Sequence, residues 1–431
     1  MLHRGGASLR IHDTGPDVAN GHVAGNDVPP STRHPGDADA SLSRRGRRPR
    51  GTRRNRWLGR LAMVSLSVGF TVVLLEGLLR TVPGLMPRQV RDEIVATPGV
   101  AHAYIGHLHT PFSRLVVENS DFRVMHDTDG HGFRNAWPWP DRADIVAVGD
   151  SLTFGYGVDA GRAWPSVLAR ALPGTRVVNL GLVGASAPQY LRLHELFGVP
   201  LRPALLLVGV FAQNDFWDAE LFDRWWRSGA GGNYMEWRDT APRAAGPEDE
   251  DALVRTMYAK VYHAVAATHL GRLGLHVRRA IVDRPLYYRF PDGAQVRLLV
   301  NDFEAKTVGA RADRPEYRLV LEPLLQLRRL AREHGARLVV VFLPSKEEVH
   351  LPLLGVTVDD PARDLREELA RQGVDHVDLV ELFRARARAG QRLFFEEDGH
   401  PNADGYALIA EGILDHLRAG GYLDAVGVAP R

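Results

Sequence analysis

Cysteine is absent from the 431 residues. Its absence excludes a disulfide framework, cysteine-ligated zinc, iron–sulfur clusters and a cysteine nucleophile. Lysine is almost absent too, occurring only as Lys260, Lys306 and Lys346, so basic character rests on arginine. With no basic stripe interleaved with aromatics in the body, that bias reads as coding preference and not as a nucleic-acid surface. Long apolar runs are equally scarce. A single one, from Leu61 to Val82, excludes a multi-span membrane protein, while 45% hydrophobic and 25% charged residues exclude a wholly disordered chain. Also missing are a Gly-x-Ser-x-Gly elbow, a glycine-preceded P-loop lysine and a His-Glu-x-x-His metal helix. The length points to one large domain carrying insertions or appendages.

The net charge of +2 conceals an asymmetry: residues 1–60 hold twelve Arg against five Asp, leaving the remainder mildly acidic. Residues 1–56 are polar and then strongly basic, with no apolar periodicity to offset the entropy of ordering, and are expected to form a disordered tail. Residues 57–82 are expected to form one transmembrane helix, longer than the roughly 20 residues a hydrocarbon core requires. Glu76 and Arg80, four apart, are expected to meet on one face near the far interface. Nine Arg between Arg44 and Arg60 place the N-terminus in the cytoplasm and the following domain in the periplasm or outside, anchored to the inner membrane. A cleaved signal is the competing reading, but Arg56 stands where a twin-arginine signal has Phe, and no small-x-small site follows Leu79.

Residues 83–140 read as a strand-rich lead-in, with an extended run from Ser113 to Val117, a turn at Asp129-Gly130 and then Gly132-Phe133-Arg134. His102, His107 and His109 fit no metal-binding spacing and read as ordinary surface or structural histidines. From Asp144 short apolar runs alternate with amphipathic stretches, the pattern of a parallel sheet covered by helices. Strands are expected at Ile145–Val148, Val177–Leu180, Leu205–Val210, Leu338–Phe342 and His376–Leu379. Helices are expected at Trp164–Leu172, Pro188–Phe197, Tyr317–His334, Ala362–Gln372 and Ala403–Leu417, with Gly335 and Gly373 as stops. A domain over residues 141–425 is thus interrupted by one insertion at about 216–314.

Such a sheet presents its chemistry at the carboxyl ends of the strands. Gly149-Asp150-Ser151-Leu152 follows the first strand, Asn179-Leu180-Gly181-Leu182-Val183-Gly184 the second, and Ala212-Gln213-Asn214-Asp215 the third. Glu397-Asp398-Gly399-His400-Pro401-Asn402 precedes the last helix. Together these supply a hydroxyl, a backbone donor, a side-chain amide and an acid–base pair. Those are the parts of acyl transfer through a nucleophile, a base, an orienting carboxylate and an oxyanion hole.

The four blocks, in their order and strand context, resemble those of the SGNH (GDSL) hydrolase superfamily from about Asp144 to Leu417. The resemblance implies an α/β fold, a flavodoxin-like three-layer α/β/α sandwich with a parallel sheet. It implies Ser151 as nucleophile, His400 as base, and an oxyanion hole of Ser151, Gly184 and Asn214. Two positions depart from the family pattern. Ala212 replaces a glycine in the third block, and the usual Asp-x-x-His would place the acid at Glu397, whereas Asp398 gives the Asp-x-His seen in acetyl-transferring relatives. Asp398 is the expected acid. The N-terminal anchor, Gly132-Phe133-Arg134 and Pro344-Ser345-Lys346-Glu347 are similar to membrane-anchored bacterial members, some of which act on acyl groups of exopolysaccharides.

The expected activity is that of a serine esterase releasing ester-linked acyl groups, O-acetyl groups among them, with no cofactor and no metal. An O-acyltransferase modifying an envelope polysaccharide with the same residues, and a non-catalytic glycan-binding pseudo-hydrolase, stay open at this point. The expected partners are an ester-bearing polysaccharide or lipid substrate and the membrane, not nucleic acid. Trp217, Trp225, Trp226 and Trp237, with Phe216, Phe222 and Tyr234, read as packing of the insertion, or else as a lid or sugar platform. Lys346 reads either as a contact for an anionic substrate or as an ordinary surface lysine.

Overall fold

The computed structural model describes residues 53–86, 99–229, 231–240, 261, 264–265, 268–282 and 285–424. The tail expected at 1–56 lies outside the described residues except for its end, Arg53 to Arg56, which opens the first helix, α1 (Arg53–Thr81). The chain divides into two units between Val64 and Ser65, within this helix. Within α1, Trp57–Thr81 is long and apolar enough to cross a membrane, with a mean hydropathy of 2.0. Near its end Glu76 accepts a hydrogen bond from Arg80 Nε at 2.8 Å, the expected i,i+4 pair. The same carboxylate accepts the backbone N–H groups of His269 (3.1 Å) and Leu270 (2.9 Å).

The lead-in forms two antiparallel hairpins, β1 (Gly99–His102) with β2 (Gly106–His109), and β3 (Arg114–Glu118) with β4 (Arg123–Asp127). The main sheet follows as five parallel strands: β5 (Ile145–Gly149), β6 (Val177–Gly181), β7 (Leu205–Val210), β10 (Arg337–Phe342) and β11 (Asp375–Asp378). A further antiparallel hairpin, β8 (Leu286–Arg289) with β9 (Gln295–Leu298), lies in the insertion. All five strands of the main sheet fall within two residues of the sequence expectation; β5, β6, β7 and β10 are short apolar runs buried by helices on both faces, whereas β11 is a polar, half-buried edge strand. Their spatial order is β11-β10-β7-β5-β6, the flavodoxin-like order, in which the first strand lies between the second and the third.

Alternation along each strand sorts the core into two apolar layers. Val146, Val148, Leu206, Val208 and Val340 pack on one face with helices α4 (Ala187–Leu193), α5 (Asp215–Ser228), α9 (Pro315–Glu333) and α11 (Arg363–Arg371). Ile145, Ala147, Leu205, Leu207 and Val339 pack on the other with α3 (Trp164–Ala171), α12 (Val380–Arg388) and α13 (Ala403–Ala419). A fully buried leucine here, such as Leu207, costs about 2–5 kcal/mol when cut to alanine.

Differences from the expected elements have local causes. The helix expected at Pro188–Phe197 is α-helical only over Ala187–Leu193 and then widens into a π turn over His194–Gly198. A side chain at Gly198 would meet the His194 ring at 2.2 Å, so the wider turn and the glycine go together. Phe216 and Ala219 of α5 sit in the same apolar layer as the sheet, which ties the start of the insertion to the core. The insertion aromatics are mainly packing: Leu221, Phe222, Trp225 and Tyr234 bury one another, with Trp217 and Trp237 against them. Trp226 is exposed, and the Arg192 guanidinium covers its ring at 3.9 Å.

Candidate active site

Ser151 opens a four-residue helix, α2 (Ser151–Phe154), immediately after strand β5, the neighbour of the central strand β7. Asp150 caps it, its Oδ1 accepting the Leu152 N–H at 2.9 Å. This helix crosses the strand ends so closely that a side chain at Gly181 would lie 2.1 Å from the Phe154 nitrogen. The glycine closing β6 is therefore a packing requirement of the turn that presents Ser151. Because β5 lies between β6 and β7, the serine at its end is flanked by Gly184, after β6, and Asn214, after β7.

His400 reaches Ser151 from the loop before α13, its Nε2 lying 2.8 Å from Ser151 Oγ. Its Nδ1 lies 2.6 Å from Asp398 Oδ1, which also accepts the His400 backbone N–H at 2.9 Å. Glu397 turns the other way and pairs with Arg297 of β9 at 3.1 Å. Ser151 is 7% exposed and the Asp398 side chain 5%, against 20% for the His400 side chain, so the relay is shielded at the carboxylate and most open at the histidine. Burial opposes ionisation of Asp398. The His400 charge and hydrogen bonds, together with the Lys346 charge, outweigh it and hold the carboxyl below its ordinary value. Burial pushes Asp150 up to about 6, with Asp218 adding to it, against the Leu152 N–H, His400 and the Asn214 amide.

Gly184 has φ +74, and a side chain there would meet Arg238 Nη1 at 2.5 Å and Met235 Sδ at 2.8 Å. Asn214 is the N-cap residue of α5 but makes no side-chain cap hydrogen bond, and its buried Oδ1 has no partner among the described residues. Its carbonyl end is thus uncommitted, while its amide nitrogen acts on Asp150. Ala212, which departs from the family's glycine, puts its methyl into the apolar layer beneath the sheet.

Several supporting residues escaped sequence reasoning. His107 and His109 are buried and grip the residue before Gly184: His107 Nε2 donates to the Val183 carbonyl at 2.9 Å, and Val183 N–H donates to His109 Nε2 at 3.4 Å. Burial lowers them to about 3 and about 4, which keeps both neutral. Arg134, flagged only as part of Gly132-Phe133-Arg134, is buried and donates from Nη1 to the carbonyls of Gly155 (2.7 Å) and Val158 (2.9 Å), securing the loop after α2. Lys346 does not lie on the surface. It is 3% exposed and donates to the carbonyls of Glu397 (2.9 Å) and Asp398 (3.0 Å). Among the described residues no group of three or more His, Asp or Glu is arranged to hold a metal ion.

Residues 147–408, more than half of the chain, match the sequence profile of the GDSL-like Lipase/Acylhydrolase family. The chain belongs to this GDSL-like acylhydrolase family. It is accordingly a serine hydrolase acting on ester bonds. Comparison with curated proteins gives no match. Among solved structures, this acylhydrolase is similar to a lipolytic protein of the G-D-S-L family from Veillonella parvula, at 15% identity and a TM-score of 0.32, covering 63% of this chain and 96% of that one. It is similar to an acetylxylan esterase from Geobacillus stearothermophilus, at 14% identity and a TM-score of 0.32, covering 63% and 93%. A GDSL-like lipase from Bacteroides thetaiotaomicron is 11% identical with a TM-score of 0.30, covering 66% and 93%.

Proposed function

We propose that this acylhydrolase cleaves ester-linked acyl groups, O-acetyl groups on a saccharide among them, with Ser151 as nucleophile, His400 as base and Asp398 as the acid that orients it. The observation that carries this reading is the unbroken relay from Ser151 Oγ to His400 Nε2 (2.8 Å) and from His400 Nδ1 to Asp398 Oδ1 (2.6 Å). In the reaction Ser151 Oγ attacks the ester carbonyl as His400 Nε2 takes its proton. The Ser151 and Gly184 N–H groups and the Asn214 amide receive the charge that develops on the carbonyl oxygen. The tetrahedral adduct collapses, His400 returns the proton to the departing alcohol oxygen, and an acyl-serine remains. Water then attacks with His400 again taking a proton, and the free acid leaves as Ser151 regains its hydrogen.

The chain is read as a basic tail (1–56), a membrane anchor (57–82), a lead-in (83–140) and the hydrolase domain (141–425) with its insertion at about 216–314. The arginine cluster before the anchor supports a cytoplasmic N-terminus and an extracytoplasmic catalytic domain at the inner membrane.

The test is to incubate the detergent-solubilised full chain with 4-nitrophenyl acetate and with an acetylated xylooligosaccharide, and to follow free acetate. Acetate release that depends on Ser151 and His400 supports the proposal. Acetyl appearing only on an added acceptor sugar replaces hydrolysis with transfer, and no turnover by the folded chain on either ester contradicts it.

A further inference from the structure

The loop that carries the acid is gripped from three directions by segments distant in sequence. From the sheet rim, Lys346 opens a short helix, α10 (Lys346–His350), and aims its ammonium at the loop's backbone. Its Nζ lies 2.9 Å from the Glu397 carbonyl, 3.0 Å from that of Asp398 and 3.5 Å from that of Glu396. From the β3–β4 turn, Asp121 Oδ2 accepts the N–H groups of Glu397 (2.9 Å) and Asp398 (2.6 Å). Asn119 is fixed by accepting the Asp121 (2.8 Å) and Phe122 (3.0 Å) N–H groups on its Oδ1, which leaves Nδ2 to donate to Asp398 Oδ2 at 3.3 Å. From the insertion, the Arg297 N–H donates to the Glu396 carbonyl at 2.8 Å, and its Nη1 holds the Glu397 side chain.

We infer that Lys346, acting with Asn119 and Asp121, is a positioning residue that fixes the Asp398 loop in the register the histidine requires. The inference rests on the reading of Ser151, His400 and Asp398 as a triad. A buried ammonium is costly unless its donors are met, and here three carbonyls of consecutive residues meet them. Consecutive carbonyls aimed at one point define the loop's curvature, and that curvature places Oδ1 of Asp398 where it receives both His400 Nδ1 and His400 N–H. The ammonium also sets the electrostatics. The charged and titratable groups facing Asp398 are His400, Lys346 and Asp121, with Tyr156 and Tyr406 farther off. Of these, Lys346 is the cation that does not take part in proton transfer.

The experiment compares the full chain with Lys346→Met, Lys346→Arg and Asn119→Ala, and with Lys306→Met as a control at a surface pair with Asp302. The readouts are kcat, KM and the pH profile for 4-nitrophenyl acetate, alongside thermal melting. Lys346→Met is expected to lower kcat by about 10- to 100-fold with KM little changed, since small misplacements of a catalytic group act on kcat. Its acid limb moves to higher pH as Asp398 loses its neighbouring cation, while Lys346→Arg keeps the limb in place and recovers part of kcat. Unchanged kcat and acid limb in Lys346→Met, or a loss matching only the unfolded fraction, overturns the inference. Should Lys346→Met not fold, Asn119→Ala decides: lowered kcat at unchanged KM supports the inference, and wild-type kcat overturns it. Activity retained in Ser151→Ala would instead sink the triad reading itself, an outcome distinct from a dead Ser151→Ala beside a normal Lys346→Met.

Discussion

Glu397 directs its carboxylate to Arg297, 3.1 Å away, and leaves His400 to its neighbour Asp398. Two adjacent acids thus serve different partners: one ties the loop to the insertion hairpin, the other meets the imidazole. Asp398→Asn is therefore expected to lower kcat by about 10⁴-fold, the loss seen when the orienting acid of a serine triad becomes an amide. Glu397→Gln breaks only a partly exposed ion pair, worth about 0–1 kcal/mol, and is expected to keep near-normal turnover. Steady-state kinetics on the two variants decides between them, and a dead Glu397→Gln with a healthy Asp398→Asn would reverse the assignment.

Asn214→Ala is expected to lower kcat by about 10²- to 10³-fold, the usual cost of losing one oxyanion donor. Its melting temperature is expected to stay near that of the wild type, because Asn214 caps α5 without a side-chain hydrogen bond. A large drop in melting temperature with little kinetic change would make Asn214 a structural residue.

Gly184→Ala is expected to hurt both stability and turnover. The positive φ costs about 1–2 kcal/mol for a residue with a Cβ. The added methyl also meets Arg238 Nη1 at 2.5 Å, so the loop or the arginine must shift. Melting combined with kcat separates the two effects, and a variant indistinguishable from wild type would show that this loop has slack.

The buried histidines give a signed pH effect. His109 is lowered by burial to about 4, so between about 6.5 and 4 the unfolded chain binds a proton that the folded chain does not. Its contribution is intact above 6.5 and is lost as the pH falls through that window. Relative to His109→Asn, the wild type is expected to lose about 1.4 kcal/mol per pH unit there. Denaturant unfolding of both proteins at pH 7 and pH 5 measures it, and a constant gap would contradict a neutral His109.

Residues with a local signature were readable from the chain. β5, β6, β7 and β10 are apolar runs whose neighbours are glycines or turn residues, and Gly335 and Gly373, both at positive φ, mark the ends of α9 and α11 as expected. Ser151, Asn214 and His400 stood out because each follows a strand or precedes a helix in a block with its own composition. The supporting residues had no such mark. Lys346 meets carbonyls about fifty positions away, and any residue can supply a carbonyl, so nothing in the sequence pairs the two. His107 and His109 read only as ordinary surface or structural histidines until Val183 is brought between them by the fold. The helix α12 was missed because its buried face is only Phe383 and Ala387 amid arginines.

The most direct test of the central claim is to treat the solubilised full chain with a fluorophosphonate probe, alongside Ser151→Ala and His400→Ala, and to locate the adduct by mass spectrometry. The account predicts an adduct on Ser151, none in Ser151→Ala, and strongly slowed labelling in His400→Ala. A folded chain that hydrolyses esters but carries no adduct at Ser151, or a Ser151→Ala variant that still turns over, would contradict it.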